Sequence, residues 1–151
     1  MATIDIIIGS TLGGAEYVAE HLETLLTAEH QVALHYQPDF SALVSQRQAD
    51  TVWLIVTSTH GAGQVPDNLA AFTQSLAQQS LLVDLLYGVV AIGDSNYDTF
   101  CAAGRLIDEL LEKTAAQRLG ERLEIDVADG QLPEDSAEIW LKDWMPLLTQ
   151  I

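Results

Sequence analysis

Five short apolar runs alternate along this chain with stretches whose apolar residues recur every three to four positions, a pattern that predicts strands and helices in turn. Ile4–Ile8 reads as the first strand. A helix from about Gly13 to Ala28 follows, with Val18, Leu22, Leu25 and Leu26 on one stripe. Gln31–Tyr36 alternates Val32, Leu34 and Tyr36 and makes the second strand. Pro38 to Gln48 fits no single period and leaves room for a short helix around Ala42–Gln46. Thr51–Thr57 is the most apolar run and the third strand. Pro66 then sits at the first turn of a helix carrying Leu69, Phe72 and Leu76. Tyr87–Ile92 is the fourth strand, and a helix from about Thr99 to Ala115 shows Ala103, Ile107, Leu110 and Leu111 on one face. Arg118–Val127 contains the fifth strand, and a last helix runs from Pro133 or Glu134 to about Leu148.

Strands alternating with helices imply a parallel sheet with helices on both faces. The expectation is one doubly wound α/β domain over residues 1–151, five strands in the order 2-1-3-4-5. That order sets the carboxyl ends of strands 1, 3 and 4 side by side. Each of those strands breaks into a small-residue loop: Gly9-Ser10-Thr11-Leu12-Gly13-Gly14, Thr57-Ser58-Thr59-His60-Gly61-Ala62-Gly63 and Gly93-Asp94-Ser95-Asn96-Tyr97. Ligands of open α/β sheets bind beyond such strand ends, so the three loops predict three walls of one small-molecule crevice.

Composition narrows the class. With 151 residues, 48% of them hydrophobic, the chain is long and apolar enough for a real core, and no apolar stretch reaches the ~20 residues that span a bilayer. Without a basic leader or a cleavage site the expected location is the cytoplasm. One cysteine, Cys101, rules out an internal disulfide. Twenty-two acids against six bases give a net charge of −16. Such a surface repels nucleic acids and anionic membranes, and it fits either steering of a basic protein partner or solubility alone.

The first loop joins a strand to a helix start, where free N–H groups and the positive end of the helix dipole suit a phosphate. It lacks the Gly-Lys-Ser/Thr of a P-loop and the G-x-G-x-x-G of a dinucleotide site. None of the six basic residues lies in the three loops, so neutral donors must hold any phosphate, which suits one monoester better than a polyphosphate. His60 and Tyr97 place a ring on each of the other two loops, able to sandwich a planar heterocycle. His21, His30 and His35 show no metal-ligand spacing, and no metal is expected. Trp140 and Trp144, four apart, pack the last helix on the sheet. An aspartate ending strand 3, needed by a phosphorelay receiver, is absent. Gly93-Asp94-Ser95 lies on the wrong strand for a Gly-Asp-Ser hydrolase.

In these motifs the chain resembles the flavodoxin family, most closely its short-chain MioC-type members, and is similar to the flavin mononucleotide (FMN) domains of diflavin reductases. Thr57 through Gly63, with the trailing Pro66-Asp67-Asn68, resembles their second flavin loop. Gly93 through Cys101 and on to Gly104 resembles the third, and Pro133–Leu147 their acidic, tryptophan-bearing last helix. The resemblance covers essentially the whole chain. It implies FMN as cofactor, with Ser10, Thr11, Leu12, Gly13, Gly14 and Ala15 at the phosphate. Ser58, Thr59, His60, Gly61 and Gly63 would lie on one side of the flavin, with a backbone group near Gly61 able to contact flavin N5. Gly93, Asp94 and Tyr97 would lie on the other, Tyr97 stacked on the ring, with Phe100 and Cys101 close behind.

The chain departs from that family pattern in three places. Leu12 and Ala15 replace hydroxyl residues and Gly14 replaces an Asn, which implies a thinner grip on the phosphate and an FMN easily lost on purification. His60 stands where many relatives carry a larger aromatic. The resemblance implies single-electron transfer between a flavoprotein reductase and an acceptor protein, both basic-surfaced, by a monomer. Asp94 and Asp98 would disfavour negative charge on the flavin and lower its potential, an effect a protonated His60 would soften. The alternatives are an FMN-dependent, quinone-type reductase and a flavin-free interaction protein on the same scaffold.

Overall fold

The computed structural model describes residues 1–10, 13–79 and 81–150. Its parallel strands are β1 (Thr3–Gly9), β2 (Gln31–His35), β3 (Thr51–Thr57), β4 (Leu86–Gly93), β5 (Gln117–Arg118) and β6 (Leu123–Asp126). The helices are α1 (Gly14–Leu26), α2 (Phe40–Gln46), α3 (Asp67–Gln78), α4 (Ala102–Lys113) and α5 (Pro133–Leu148). Strand order is β2-β1-β3-β4-β5, with β6 also paired to β4, so the expected 2-1-3-4-5 arrangement is present. In the centre, Ile4 of β1 lies between Val32 of β2 and Val52 of β3. All seven residues of β3 are buried, because helices cover the sheet on both sides, and this is why its run is apolar without alternation.

Side chains alternate between the two faces. Ile4, Ile6, Ile8, Val52, Leu54, Val56, Val90 and Ile92 pack with α1 and α5. Ile7, Trp53, Ile55, Tyr87, Val89 and Ala91 pack with α2, α3 and α4. The second face has an aromatic centre in which the Phe40 ring meets Trp53 and Phe72 edge-on, at centroid distances of 6.1 and 5.3 Å. Phe40 opens α2, whose start is capped by the Asp39 carboxylate accepting the Ala42 N–H at 3.2 Å. The stretch that fits no period in the sequence is thus a capped two-turn helix.

Two expected elements differ. Helix α4 begins at Ala102 rather than Thr99, because Cys101 adopts a left-handed φ of 54° that ends the loop one residue before the helix. The fifth strand is two strands, β5 against Leu86 and Tyr87 and β6 against Val90 to Gly93. Between them the chain leaves the sheet at Leu119–Arg122, where Gly120 has φ +66°. The carbonyls freed there are met by α5: the Trp144 indole N–H donates to Leu119 O at 3.1 Å and that of Trp140 to Glu121 O at 3.0 Å. The two indoles stack at 5.1 Å, and Trp144 lies so close to Gly88 that a Cβ there would stand 2.8 Å from the ring. The tryptophan pair therefore packs α5 on the sheet, as expected, and also bridges the break.

Candidate functional site: a cleft at the carboxyl ends of three strands

The loops following β1, β3 and β4 meet at one edge of the sheet around a cleft of about 450 Å³. Of the residues singled out from sequence, Gly14, Ala15, Ser58, Thr59, His60, Gly61, Gly93, Asp94 and Tyr97 line it. Ile92, Thr99 and Val127 line it as well and were not singled out. Val127 follows β6, which lies beside β4, so the available signal was that the fifth strand also delivers its carboxyl end to this edge. Ser10, Gly13, Gly63, Phe100 and Cys101 are not in the lining; Ser10 lines a smaller neighbouring cavity with Gln37, Asp67 and Asn68. Thr11 and Leu12 lie outside the described residues.

The first loop ends in an unusual helix start. Gly13, the residue before α1, has φ +89° and provides no side-chain cap. Its own N–H donates to Ser10 Oγ at 2.9 Å, while Tyr17 N–H donates to Gly13 O at 3.1 Å. The N–H groups of Gly14, Ala15 and Glu16 precede the first intrahelical bond, so none has an acceptor within the helix. The first two belong to residues of the cleft wall. Among the described residues the Ser10 hydroxyl accepts the Gly13 N–H and donates to none.

The second loop is a tight hairpin. His60 N–H donates to Gln64 O at 2.8 Å and Gly63 N–H to His60 O at 2.7 Å. Gly63 makes the reversal with φ +94° and packs against Thr99, whose hydroxyl donates to Gly61 O at 3.3 Å. Thr59 ties the loop to the sheet and to α4, donating to Ile92 O at 3.2 Å and accepting the Ala103 N–H at 3.4 Å. Ser58 N–H donates to Gly9 O, joining the ends of β3 and β1.

The third loop is held by two aspartates. Asp94 accepts the Asn96 N–H on its carboxylate and the Tyr97 N–H on its carbonyl, at 2.9 and 3.0 Å. Asp126, at the end of β6, accepts from Ser95 N–H and Ala128 N–H, both at 3.0 Å, and so links this loop to the turn that carries Val127. Hydrogen bonding from the Ser95 side chain first, then from the Ser95 and Ala128 N–H groups, holds the Asp126 carboxyl below the usual carboxylate range. Gly93 is demanded by packing, since a Cβ there would sit 2.5 Å from the Cys101 backbone nitrogen. The Cys101 thiol is fully buried behind the cleft, directed at Ala91 O at 3.5 Å, and burial pushes it up to about 12. Phe100 carries the Arg105 guanidinium over its ring at 5.5 Å.

These walls suit a flat heterocycle bearing one phosphate. His60 and Tyr97 are exposed rings, Tyr97 at 62%, one on each of two facing loops. Gly14 and Gly61 present bare backbone to the cleft, and a Cβ at either would meet no atom of the described residues within 4 Å. No lysine or arginine is among the lining residues, and Asp94 is the carboxylate in it. Three of the six bases are instead tied to carboxylates, Arg105 to Glu124 and both Arg118 and Arg122 to the buried Asp108.

The chain matches the Flavodoxin family model over residues 6–140. It is 44% identical over 150 residues to protein MioC of Escherichia coli (strain K12), covering 98% of this chain and 99% of that protein. It is 37% identical to flavodoxin YqcA of the same organism, over 99% of this chain and 100% of the relative. Among solved structures, a C101A mutant of flavodoxin from Pseudomonas aeruginosa superposes with a TM-score of 0.88 at 32% identity, over 97% of this chain and 99% of the other. The chain therefore belongs to the flavodoxin family, whose cofactor is FMN and whose general role is electron transfer.

Proposed function

We propose that this protein carries single electrons between a flavoprotein reductase and an acceptor protein, with FMN held in the cleft. The observation that carries the reading is the cleft wall itself: two exposed rings, bare backbone at Gly14 and Gly61, and no cation. FMN supplies the redox chemistry, and the protein tunes it through hydrogen bonds and charge. The N–H groups of Gly14 and Ala15, with the Ser10 hydroxyl behind them, are the described donors for the phosphate. Gly61 O, fixed by Thr99, is a backbone group at the cleft wall that can meet the ring edge. Tyr97 and His60 flank the ring. Asp94, with the general negative charge, opposes build-up of negative charge in the cleft and lowers the flavin potential.

The partners that fit are basic-surfaced. Net −16, with half the cations already paired away from the cleft, gives an acidic rim that steers a basic protein and repels nucleic acid and anionic membrane. No helix among the described residues is long and apolar enough to cross a membrane. We place the protein in the cytoplasm as a monomer, where both partners can reach the open cleft. The test is the absorption spectrum of purified protein, followed by FMN titration of any colourless fraction. Quenched, retained flavin supports the reading, and failure to bind FMN ends it. A bound flavin that turns over NAD(P)H without a reductase would favour the small-molecule reductase instead.

A further inference from the structure

Asn68 lies outside the cleft lining, on the second residue of α3, yet its side chain joins three separate backbone segments behind the first loop. Its Nδ2 donates to Ile8 O at 2.7 Å and to Tyr36 O at 2.9 Å, and its Oδ1 accepts the Ser10 N–H at 3.0 Å. Ile8 is near the end of β1, Tyr36 is the residue after β2, and Ser10 begins the first loop. Strand pairing between β1 and β2 ends at Ile7 and His35, so these groups need partners from elsewhere. An amide supplies two donors and an acceptor from one planar group, which neither a carboxylate nor a hydroxyl can do. The chain continues from this clamp to the helix start: Ser10, so fixed, takes the Gly13 N–H on its Oγ at 2.9 Å, and Gly13 caps α1.

We propose that Asn68 is the positioning residue of the phosphate subsite, setting the N–H groups of Gly14 and Ala15 through Ser10 and Gly13 and thereby the preference for FMN over riboflavin. This rests on the FMN reading above. The amide contacts neither ring of the cleft, so its loss is expected to weaken the phosphate contacts more than the ring contacts. Asn68→Ala removes all three hydrogen bonds and frees Ser10. Asn68→Asp turns the two donors into lone pairs facing two carbonyl oxygens and adds a negative charge behind the loop.

The experiment titrates wild type, Asn68→Ala and Asn68→Asp with FMN and with riboflavin by flavin fluorescence, folding being checked by circular dichroism. Wild type is expected to prefer FMN. Asn68→Ala is expected to lose roughly tenfold in FMN affinity with riboflavin within about twofold, and Asn68→Asp to lose more. A role in general stability would weaken both ligands together and leave their ratio alone. An unchanged ratio in a folded variant overturns the proposal while leaving FMN binding intact. Wild type that fails to bind FMN overturns the underlying reading instead. If Asn68→Ala does not fold, Asn68→Ser, which keeps one donor and one acceptor, is read for the same ratio.

Discussion

Replacing Gly14 by Asn should tighten FMN binding. Gly14 is the first residue of α1, has helical backbone, lines the cleft, and has no atom of the described residues within 4 Å of the place a Cβ would occupy. An Asn side chain therefore meets none of the described residues at its Cβ, and the change in apo-protein stability is expected to stay within about 0.5 kcal/mol. Its amide adds donors beside the N–H groups of Gly14 and Ala15, which have no acceptor within the helix. A hydrogen bond to a charged group contributes about 1.5–3 kcal/mol, against which ordering the side chain costs about 0.5–1.5 kcal/mol. The net gain is about 1–2 kcal/mol, or roughly 5- to 30-fold in Kd. Fluorescence titration with FMN and riboflavin in parallel is the assay, because riboflavin lacks the phosphate and should bind the variant as it binds wild type. FMN affinity that is unchanged or lower, or a gain shared equally by riboflavin, would refute a phosphate at the start of α1.

Three further outcomes follow from other parts of the site and core. Gly93→Ala drives a methyl to 2.5 Å from the Cys101 backbone nitrogen, so α4 or the third loop must move. An overpacking cost of about 1–3 kcal/mol lowers the melting temperature by roughly 2–4 °C per kcal/mol and weakens FMN as well. Unchanged melting would show that this contact is absent. Cys101 is fully buried with its thiol pushed up to about 12 by burial, so a thiol reagent at pH 8 should label it at the rate of unfolding. Rapid labelling of native protein contradicts that burial. His30 is buried, takes the Ala2 N–H on Nδ1 at 3.0 Å, and has its pKa lowered by burial, which outweighs the nearby Glu29 carboxylate. The unfolded chain then binds the proton more readily. Its contribution is complete above the ordinary histidine value of about 6.5 and is lost as pH falls from there toward the lower folded value. In His30→Asn, whose amide oxygen can still accept from Ala2, the fall in melting temperature between pH 7.5 and 5.5 should shrink. An equal fall would remove His30 as its source.

What the sequence revealed, and what it hid, divides by the range of the interactions responsible. Strand β3 was readable to the residue because burial on both faces writes itself directly as an unbroken apolar run. The convergence of three loops followed from strand order, which alternating elements nearly dictate. The late start of α4 was hidden, because nothing in Thr99-Phe100-Cys101 announces a left-handed cysteine. That conformation accompanies the close packing of Cys101 on Gly93 and Ala91, residues some ten positions earlier. The break in the fifth strand was hidden for a similar reason. Gly120 alone is a weak break signal, and the groups that make the break tolerable are two indoles on a helix some twenty residues later. Asn68 was visible only as the tail of a family motif, since its role depends on backbone groups as far as 60 positions away in sequence.

The same broken strand bears on the electrostatics of the cleft. With β5 and β6 each pairing only a part of β4, the outer edge is also held by charge. Asp108 of α4, 2% exposed, accepts from Tyr87 Oη at 2.7 Å, Arg118 at 2.6 Å and Arg122 at 2.5 Å. Glu124 of β6 accepts from Arg122 at 3.1 Å and from Arg105 of α4 in a two-pronged contact at 2.6 and 2.8 Å. A buried carboxylate is stable only when so fully partnered, and removing one partner of such a pair typically costs about 3–5 kcal/mol. That network fastens β6 to α4. The last residue of β6 is Asp126, which holds the third loop through Ser95, so the fastening reaches the wall that bears Tyr97. It also commits half of a small stock of cations, three arginines shared by two carboxylates, to contacts outside the cleft lining. The charge around the loops is therefore set by carboxylates outside these ion pairs, Asp94, Asp98 and Asp129 among them. One set of ion pairs thus serves both to shape a flavin loop and to leave its surroundings acidic.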